Sequence, residues 1–256
     1  MPIQILDIYQ GNPFNAVQEK ATGTNAVLIK AGQGGTQDYL EHKCGYIEQC
    51  DHAGLPWGVY WQMDARYSPE RHKAALKAFR DVIGFGQLGL WLACEKPFYP
   101  CPDWLYARMP YAFYKPVESI WRGLFEYTGV YPGIYTSPAM FKLIFGQCPL
   151  LLQYEFAEKA RLWVAQYQVE KPDKIGPWSK YCFWQYQGEP DYSVFGGTDE
   201  EFYKFAGIAH DAPEPEPVPA DPRYIKLLRD CHPYIIQIET ASSNIEALMS
   251  DYTEGK

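Results

Sequence analysis

The chain has 256 residues, of which 47% are hydrophobic, enough to bury the core of one barrel-sized domain or of two small ones. Its 23 basic and 31 acidic side chains give a net charge of -8, which argues against nucleic acid as the main ligand. No stretch approaches the roughly 20 apolar residues of a membrane span, and the N-terminus lacks the basic and apolar segments that predict a secretion signal.

Apolar, β-rich runs alternate with helical patterns along the chain, which is the order expected of a parallel α/β barrel. The start of a helix is marked at Ser68-Pro69 and Ser137-Pro138, where a capping hydroxyl precedes proline, and at the capping box of Thr198 and Glu201. We predict one barrel domain over residues 1–209. Its predicted strands are Ile3 to Asp7, Ala26 to Ala31, Gly58 to Gln62, Gly89 to Cys94, Gly133 to Thr136, Leu162 to Gln166 and Cys182 to Gln185.

Two of the predicted strands end in an acid. Asp7 closes the first strand, and Glu95 follows the apolar run from Leu90 to Cys94 directly before Lys96-Pro97. In a (β/α) barrel the catalytic groups stand at the carboxyl ends of strands, so both acids are candidates by position. Structural roles compete with this interpretation, because Glu95 could pair with a basic residue and Asp7 could cap the turn that follows it.

The seven cysteines are an odd number scattered along the chain, which predicts free thiols in a reducing compartment rather than a disulfide framework. His42, Cys44, Cys50 and His52 could suggest a zinc site, but they lie in a predicted helix from Gln37 to His52. At about 100° per residue they point in different directions around that helix. We therefore expect no metal and no cofactor.

Residues 210–222 are rich in proline and alternate it with acids, which predicts a stiff, extended linker. Residues 223–256 are predicted to form a helical tail, interrupted at Pro233, with apolar residues at alternating steps of four and three. The tail either packs back on the barrel or mediates self-association or docking to a larger assembly. The members of this seam are Tyr224, Leu228, Cys231, Ile235, Ile238, Ser242, Ile245, Met249 and Tyr252.

Aromatic residues make up 16% of the chain, with 21 tyrosines and 8 tryptophans. Flat rings suit sugar binding because they offer an apolar face to a pyranose while their polar edges donate hydrogen bonds. Since most aromatic side chains in a barrel belong to the core, we expect about half of the candidates near strand ends to face a groove. These candidates are Tyr60, Trp61, Tyr135, Trp163, Tyr167 and Trp184.

Several segments together resemble the family 25 glycoside hydrolases, lysozymes that cut the glycan of bacterial cell walls. The resemblance covers roughly residues 3 to 205, and its specificity comes from the order and spacing of motifs that are weak one by one. The motifs are Asp7-Ile8-Tyr9-Gln10-Gly11, Ala26-Val27-Leu28-Ile29-Lys30-Ala31, Ala53-Gly54-Leu55-Pro56-Trp57-Gly58-Val59-Tyr60, Leu92-Ala93-Cys94-Glu95, Gly133-Ile134-Tyr135-Thr136, Leu162-Trp163-Val164-Ala165-Gln166-Tyr167 and Phe183-Trp184-Gln185-Tyr186.

The resemblance implies a β-1,4 muramidase acting between N-acetylmuramic acid and N-acetylglucosamine, on an irregular TIM-like barrel with fewer helices than strands. It implies that Glu95 is the general acid of the family's Asp-x-Glu motif and that Asp7 matches the family's first-strand acid. Asp199 is the match for the acid near the last strand, although an acid there also stabilises the start of a helix. Ala93 replaces the Asp of the Asp-x-Glu motif.

The alanine matters because glycoside cleavage ordinarily needs two carboxyl groups, one to protonate the leaving oxygen and one to attack, activate water or stabilise positive charge. Three hypotheses account for it. Ala93 was introduced to trap substrate or prevent toxicity, or the chain is a natural binding-only relative, or Asp7 or Asp64 supplies the second carboxylate. Asp64 has a structural alternative as an acid on the rim or at the approach to a helix.

Two functions remain open from the sequence. The first is a cell-wall muramidase, impaired by Ala93, that belongs to a phage lysin or to a lysozyme built into a phage-tail-like particle. Such a protein would be made in a cytoplasm and would act on the wall after lysis or as part of the particle. The second is a non-catalytic glycan-binding module that its tail recruits to a larger assembly.

Overall fold

The computed structural model describes residues 2–35, 40–64, 67–95, 110–146 and 148–208. Within these ranges eight strands form one closed barrel in chain order. The strands are β1 (Gln4–Ile8), β2 (Thr24–Gln33), β3 (Trp57–Gln62), β4 (Leu90–Ala93), β5 (Gly133–Thr136), β6 (Leu162–Ala165), β7 (Phe183–Gln187) and β8 (Asp191–Phe195). The predicted linker and helical tail lie outside the described residues.

Seven strands run parallel, and the last one reverses the chain direction. β1 to β7 pair in parallel with their neighbours, whereas β8 pairs antiparallel with both β7 and β1 and closes the barrel. All seven strands predicted from the sequence are present, with ends that differ by at most two residues. β8 was not predicted.

Seven helices accompany the eight strands in the described part of the chain, so the expectation of fewer helices than strands is confirmed. The predicted caps are also present, because Ser68, Ser137 and Thr198 each accept a hydrogen bond from a backbone amide of the first turn. None of the described helices is both long and apolar enough to cross a membrane. The helices are α1 (Ala16–Ala21), α2 (Leu40–Ala53), α3 (Pro69–Val82), α4 (Pro110–Thr128), α5 (Pro138–Phe145), α6 (Leu150–Lys159) and α7 (Asp199–Ala206).

The alternation of side chains along each strand divides the core into two layers. In β3, Trp57, Val59 and Trp61 point outward into the layer between barrel and helices, whereas Tyr60 packs with the residues that fill the barrel. Gly58 also lies on the inner side, where an added Cβ would meet the Leu88 Cβ at 2.7 Å. Residue parity within a strand therefore decides which side chains can reach the barrel interior.

Candidate active site

The end of the barrel at which β1 to β7 finish and β8 begins gathers three carboxyl groups, and we call this end the mouth. Asp7 is the penultimate residue of β1, and Glu95 lies two residues beyond the end of β4. Asp191 is the first residue of β8 and is the register partner of Asp7. The structure thus brings together both acids that were proposed from strand ends and adds a third.

Glu95 is a partly buried acid with a tyrosine hydroxyl and an ammonium group nearby. Burial raises the pKa of Glu95 above its ordinary value, and the charge of Asp191 adds to the rise. A hydrogen bond from Tyr135 and the positive charge of Lys30 act in the opposite direction. The balance favours a protonated carboxyl to higher pH than in water, which suits a general acid.

Asp7 lies deeper in the barrel and is only 8% exposed. Burial and the neighbouring Asp191 raise the pKa of Asp7 well above its ordinary value, while a hydrogen bond from Gln185 lowers it. Gln185 Nε2 donates to Asp7 Oδ2 over 2.7 Å. Asp7 is thus held in place by a neutral donor and not by a cation.

Asp191 is the functional candidate that the sequence reasoning missed. It is half-buried, and burial raises its pKa, although a backbone hydrogen bond at Glu189 lowers it. Its charge in turn raises the pKa of both Asp7 and Glu95, as expected of a carboxyl group near both acids. The turn signal Gly188-Glu189-Pro190 after β7, followed by alternating residues, could have predicted a hairpin and placed this acid at the mouth.

Asp199 does not join the other acids. β8 runs away from the mouth, so Asp199, which begins α7 four residues after its end, lies towards the opposite end of the barrel. Its side chain is exposed in the first turn of a helix with a capping box. The structure therefore supports the helix-dipole role for Asp199. The acid that lies at the mouth beside the last strand is Asp191, and not Asp199 as the resemblance implied.

Ala93 closes β4 with its methyl group in the inner core layer, 1% exposed. Its register partners are Gln62 on β3 and Tyr135 on β5. An aspartate here would place a carboxyl group on the inner face of the barrel, two residues before Glu95. Ala93 thus occupies a position from which an acid would reach the site.

Lys30 is a second residue that the sequence reasoning did not single out. Its Nζ donates to Gln62 Oε1 at 2.7 Å and to Gln33 Oε1 at 3.3 Å, both uncharged acceptors. Burial lowers the pKa of Lys30, and the charge of Glu95 partly restores it. A cation closing an apolar strand segment, Ala26 to Ile29, was the signal that could have marked this residue.

Four of the six aromatic candidates are near the mouth. Tyr60, Tyr135 and Trp163 pack together inside the barrel, with the Tyr135 and Trp163 ring centroids 4.4 Å apart. Trp163 is buried beneath the two tyrosines and donates through Nε1 to Ser193 Oγ at 3.0 Å, so it does not offer a free ring face. Tyr167 is 47% exposed and presents its ring to solvent at the rim.

The charges of all three acids act on the hydroxyl group of Tyr60. Burial raises the pKa of Tyr60 well above its ordinary value, and the charges of Asp7, Glu95 and Asp191 raise it further. The phenol therefore stays protonated and remains a hydrogen-bond donor for any group that binds there.

Trp61 and Trp184 do not face the mouth, which corrects their assignment as substrate-binding residues. Trp61 is 0% exposed in the outer layer, and its Nε1 donates to His72 Nδ1 over 2.9 Å. Trp184 packs on the same outer layer and donates to the Gln166 carbonyl oxygen at 2.8 Å. Trp61 is next to the inward-facing Tyr60, and Trp184 is next to the inward-facing Gln185. Because side chains alternate along a strand, both tryptophan rings point outward.

Asp64 lies just beyond β3 and is buried in the wall. Gln33 Nε2 lies 3.5 Å from its Oδ2, and its backbone oxygen accepts a 2.9 Å hydrogen bond from His72 Nε2. These contacts support the structural interpretation of Asp64 as an acid that fixes the rim.

A barrel mouth with a protonatable buried acid, two further carboxyl groups and tyrosine donors is an arrangement typical of a glycoside hydrolase, in which one acid protonates the leaving oxygen and another carboxylate assists. The sequence model of glycosyl hydrolases family 25 matches residues 6–193. The chain therefore belongs to this family. Among curated proteins, the comparison finds no sequence with significant similarity to this chain.

Three solved structures share the fold over nearly their whole length. A family GH25 lysozyme from Aspergillus fumigatus is 22% identical, with a TM-score of 0.67 over 80% of this chain and 99% of that chain. A bacterial lysozyme from Streptomyces coelicolor is 19% identical, with a TM-score of 0.66 over 80% of this chain and 97% of that one. The catalytic domain of endolysin ply40 from bacteriophage P40 of Listeria monocytogenes is 18% identical, with a TM-score of 0.55 over 81% and 98%. At these identities the likeness establishes the fold.

Proposed function

We propose that the chain acts on bacterial peptidoglycan as a β-1,4-N-acetylmuramidase, cutting between N-acetylmuramic acid and N-acetylglucosamine. The observation that carries the proposal is the partly buried Glu95 carboxyl, placed at the mouth of a family 25 barrel near a tyrosine hydroxyl and within the field of a second acid. A sugar chain lying across this mouth would meet an acid able to protonate a glycosidic oxygen.

The three carboxyl groups have different surroundings and therefore different proposed roles. Glu95 donates the proton to the leaving oxygen. Asp191 is the more exposed of the two remaining acids, so we assign it the ionised form that stabilises positive charge at the sugar carbon. Asp7, deeply buried and bonded to Gln185, assists through hydrogen bonding and by keeping charge near the reacting carbon.

Ala93 lowers this activity in the proposed mechanism, because the motif's own carboxyl group is missing and Asp7 and Asp191 replace it incompletely. Ala93→Asp should raise the lytic rate at least about tenfold. The added carboxyl must displace neighbouring side chains, since Ala93 is 1% exposed. Lys30 can move to make room for the new carboxyl group, because its side chain is flexible. It donates a hydrogen bond to Gln62, which is the register partner of Ala93.

The experiment compares the native chain, Ala93→Asp and Ala93→Asn in a turbidity assay on purified peptidoglycan. The asparagine variant has nearly the same size as the aspartate but no charge, so it separates the effect of a carboxylate from that of repacking. Activation by aspartate alone supports the proposal. Equal rates in all three proteins would reject the idea that the missing acid limits the reaction.

A non-catalytic glycan-binding module is the second candidate, and Ala93 is the observation that favours it. A binder would sediment with insoluble peptidoglycan without releasing reducing ends. The two candidates separate when reducing ends and bound protein are measured in one sample. Binding with no release, in the native chain and in Ala93→Asp, would establish the second function.

We further propose a phage or phage-tail-like setting, in which the protein reaches the wall after lysis or as part of a particle. A Pro-rich segment followed by a seam of apolar residues is a sequence pattern that suits attachment to an assembly. Gradient sedimentation of a producing culture tests this setting. Co-migration with particles supports it, and migration as a free protein would exclude attachment.

A further inference from the structure

Gln185 connects residues on three different strands and loops at the mouth. It is a polar residue in the middle of β7 and is only 2% exposed. Its Oε1 accepts hydrogen bonds from the hydroxyl groups of Tyr135 at 2.7 Å and Tyr167 at 2.8 Å, and its Nε2 donates to Asp7 at 2.7 Å. The amide therefore has both oxygen lone pairs filled and a donor directed at the acid.

These contacts fix the orientation of the amide. Two hydroxyl donors facing one oxygen leave the nitrogen as the atom that faces the Asp7 carboxylate, and the reverse orientation would set two oxygens against each other whenever Asp7 is ionised. Burial makes the arrangement stringent, since an unmatched polar atom is costly there. The carboxyl of Asp7 consequently has a defined position relative to the ring of Tyr167 at the rim.

The two tyrosines are not equivalent. Tyr135 donates to Gln185 and also lies close enough to Glu95 to lower the pKa of that acid, so Glu95 is a second acceptor near its proton. Once Glu95 has given up its proton, the Tyr135 hydroxyl can turn towards the new carboxylate. Tyr167 then keeps Gln185 in place, which explains why one oxygen receives two phenol donors.

We infer that Gln185 is a positioning residue: it holds Asp7 in its working orientation and ties it to the exposed ring of Tyr167, so that a sugar bound on that ring meets a correctly placed acid. The inference rests on the proposed function for its catalytic consequence. The structural part, in which one amide fixes the positions of both Asp7 and Tyr167, rests on the hydrogen bonds alone.

The first test measures the pKa of Asp7 by carboxyl-carbon NMR in the native chain, in Gln185→Leu and in Gln185→Glu. Gln185→Leu removes all three hydrogen bonds. Gln185→Glu keeps an acceptor for both tyrosines and removes the donor to Asp7, so it remains informative if the leucine variant fails to fold. Because the Gln185 hydrogen bond lowers the pKa of Asp7, both variants should raise that pKa.

Gln153→Leu is the control, because it removes a half-buried amide hydrogen bond on the outer helix α6, where Gln153 Nε2 donates to the Cys148 carbonyl oxygen. It should leave the Asp7 titration unchanged. An unchanged Asp7 pKa in both Gln185 variants would overturn the inference, since a merely structural glutamine would not move that titration.

The second test measures hydrolysis in the Ala93→Asp background. Gln185→Glu should lower kcat at least about tenfold, and Tyr167→Phe should weaken binding of an N-acetylglucosamine tetramer about threefold or more. In Gln185→Leu, adding Tyr167→Phe should not change the pKa of Asp7 further, because the amide that joins Tyr167 to Asp7 is already absent. If neither the native chain nor Ala93→Asp is active, the muramidase proposal fails, whereas the Asp7 titration in the native chain still decides the role of Gln185.

Discussion

At the residue scale, the site depends on one acid that stays protonated and on the charges that set its titration. Lys30 is the cation that opposes the rise in the pKa of Glu95 caused by burial. Its ammonium donates to the amide oxygens of Gln33 and Gln62, and its positive charge acts on Glu95.

Lys30→Met should therefore raise the pKa of Glu95 and keep it protonated to higher pH. The alkaline limb of the pH-rate profile should move upward in the Ala93→Asp background, and the Glu95 titration should move the same way in the native chain. Lys142→Met, at an exposed position on α5, should change neither. A downward shift with Lys30→Met would contradict the electrostatic role of this lysine.

Asp7 illustrates the conflict between site chemistry and stability. Because burial and Asp191 raise its pKa in the fold, the folded chain binds this proton more tightly than the unfolded chain does. Asp7 therefore favours the fold below its ordinary pKa of about 3.9, and that contribution is lost as pH rises towards the folded value.

Asp7→Asn removes this penalty while keeping an acceptor for Gln185. At neutral pH the variant should be more stable by about 1 kcal/mol, which is about 2–4 °C in Tm for a domain of this size, and lysis in the Ala93→Asp background should fall. At pH 3 the gain should disappear, since the native carboxyl is then neutral. Thermal unfolding at neutral pH and at pH 3 tests this prediction. Asp199→Asn, at an exposed position, is the control and should not raise the Tm.

Single residues also show how far the sequence could predict the site. Glu95 and Asp7 were recognisable because a charged group that ends an apolar run has few structural reasons to be there. Gln185 was not, because its importance comes from three partners that lie 18, 50 and 178 positions away along the chain. Partners at such distances are set by barrel closure and leave no local pattern.

At the scale of elements, β8 is the strand that the sequence prediction missed, and Asp191 was missed with it. The prediction searched for apolar runs typical of buried parallel strands, but Asp191-Tyr192-Ser193-Val194-Phe195 alternates polar and apolar residues. Its alternation places Asp191 and Ser193 on the barrel side and Tyr192 against the outer core layer. Its buried Ser193 accepts the Trp163 Nε1 hydrogen bond, which ties the closing strand to the centre of the barrel.

The contact between β3 and α3 predicts a pH dependence of stability. Trp61 Nε1 donates to His72 Nδ1, so the ring must carry its proton on Nε2, which donates to the Asp64 carbonyl oxygen. Burial lowers the pKa of His72, although the Asp64 contact opposes it. The unfolded chain consequently binds a proton that the fold does not, from about pH 6.5 downward.

The free energy of unfolding should therefore fall as pH drops below about 6.5, until the folded pKa of His72 is reached. His72→Gln, which can accept from Trp61 and donate to Asp64 without titrating, should flatten that dependence between pH 7.5 and 5. His52→Gln, at an exposed position near the end of α2, is the control and should keep the native slope. An identical slope in native and His72→Gln chains would assign the acid sensitivity to other groups.

For the whole molecule, the fold was predictable because strand spacing and order carry it, whereas the direction of each side chain was not. Tyr60 and Trp61 are neighbours in β3, and both were proposed to bind sugar, yet they point to opposite faces of the barrel wall. Alternation allows only one of two adjacent residues to face inward. Which one does so depends on register with β2 and β4, and the sequence of β3 alone does not specify it.

Beyond the barrel domain, residues 224–252 carry the apolar seam that the sequence predicts. Apolar residues at steps of four and three are the sequence pattern of a helix that pairs with another helix, and a Pro-rich segment separates this pattern from the barrel in the sequence. Light scattering should therefore give a mass above 29.4 kDa for the full chain and a monomer for a chain that ends at residue 221. Ile238→Glu places a charge in the seam of the full chain and should also give a monomer, whereas Glu239→Gln, next to the seam, should not. A monomeric native chain would exclude self-association and leave packing on the barrel or docking to another protein as the two uses of this segment.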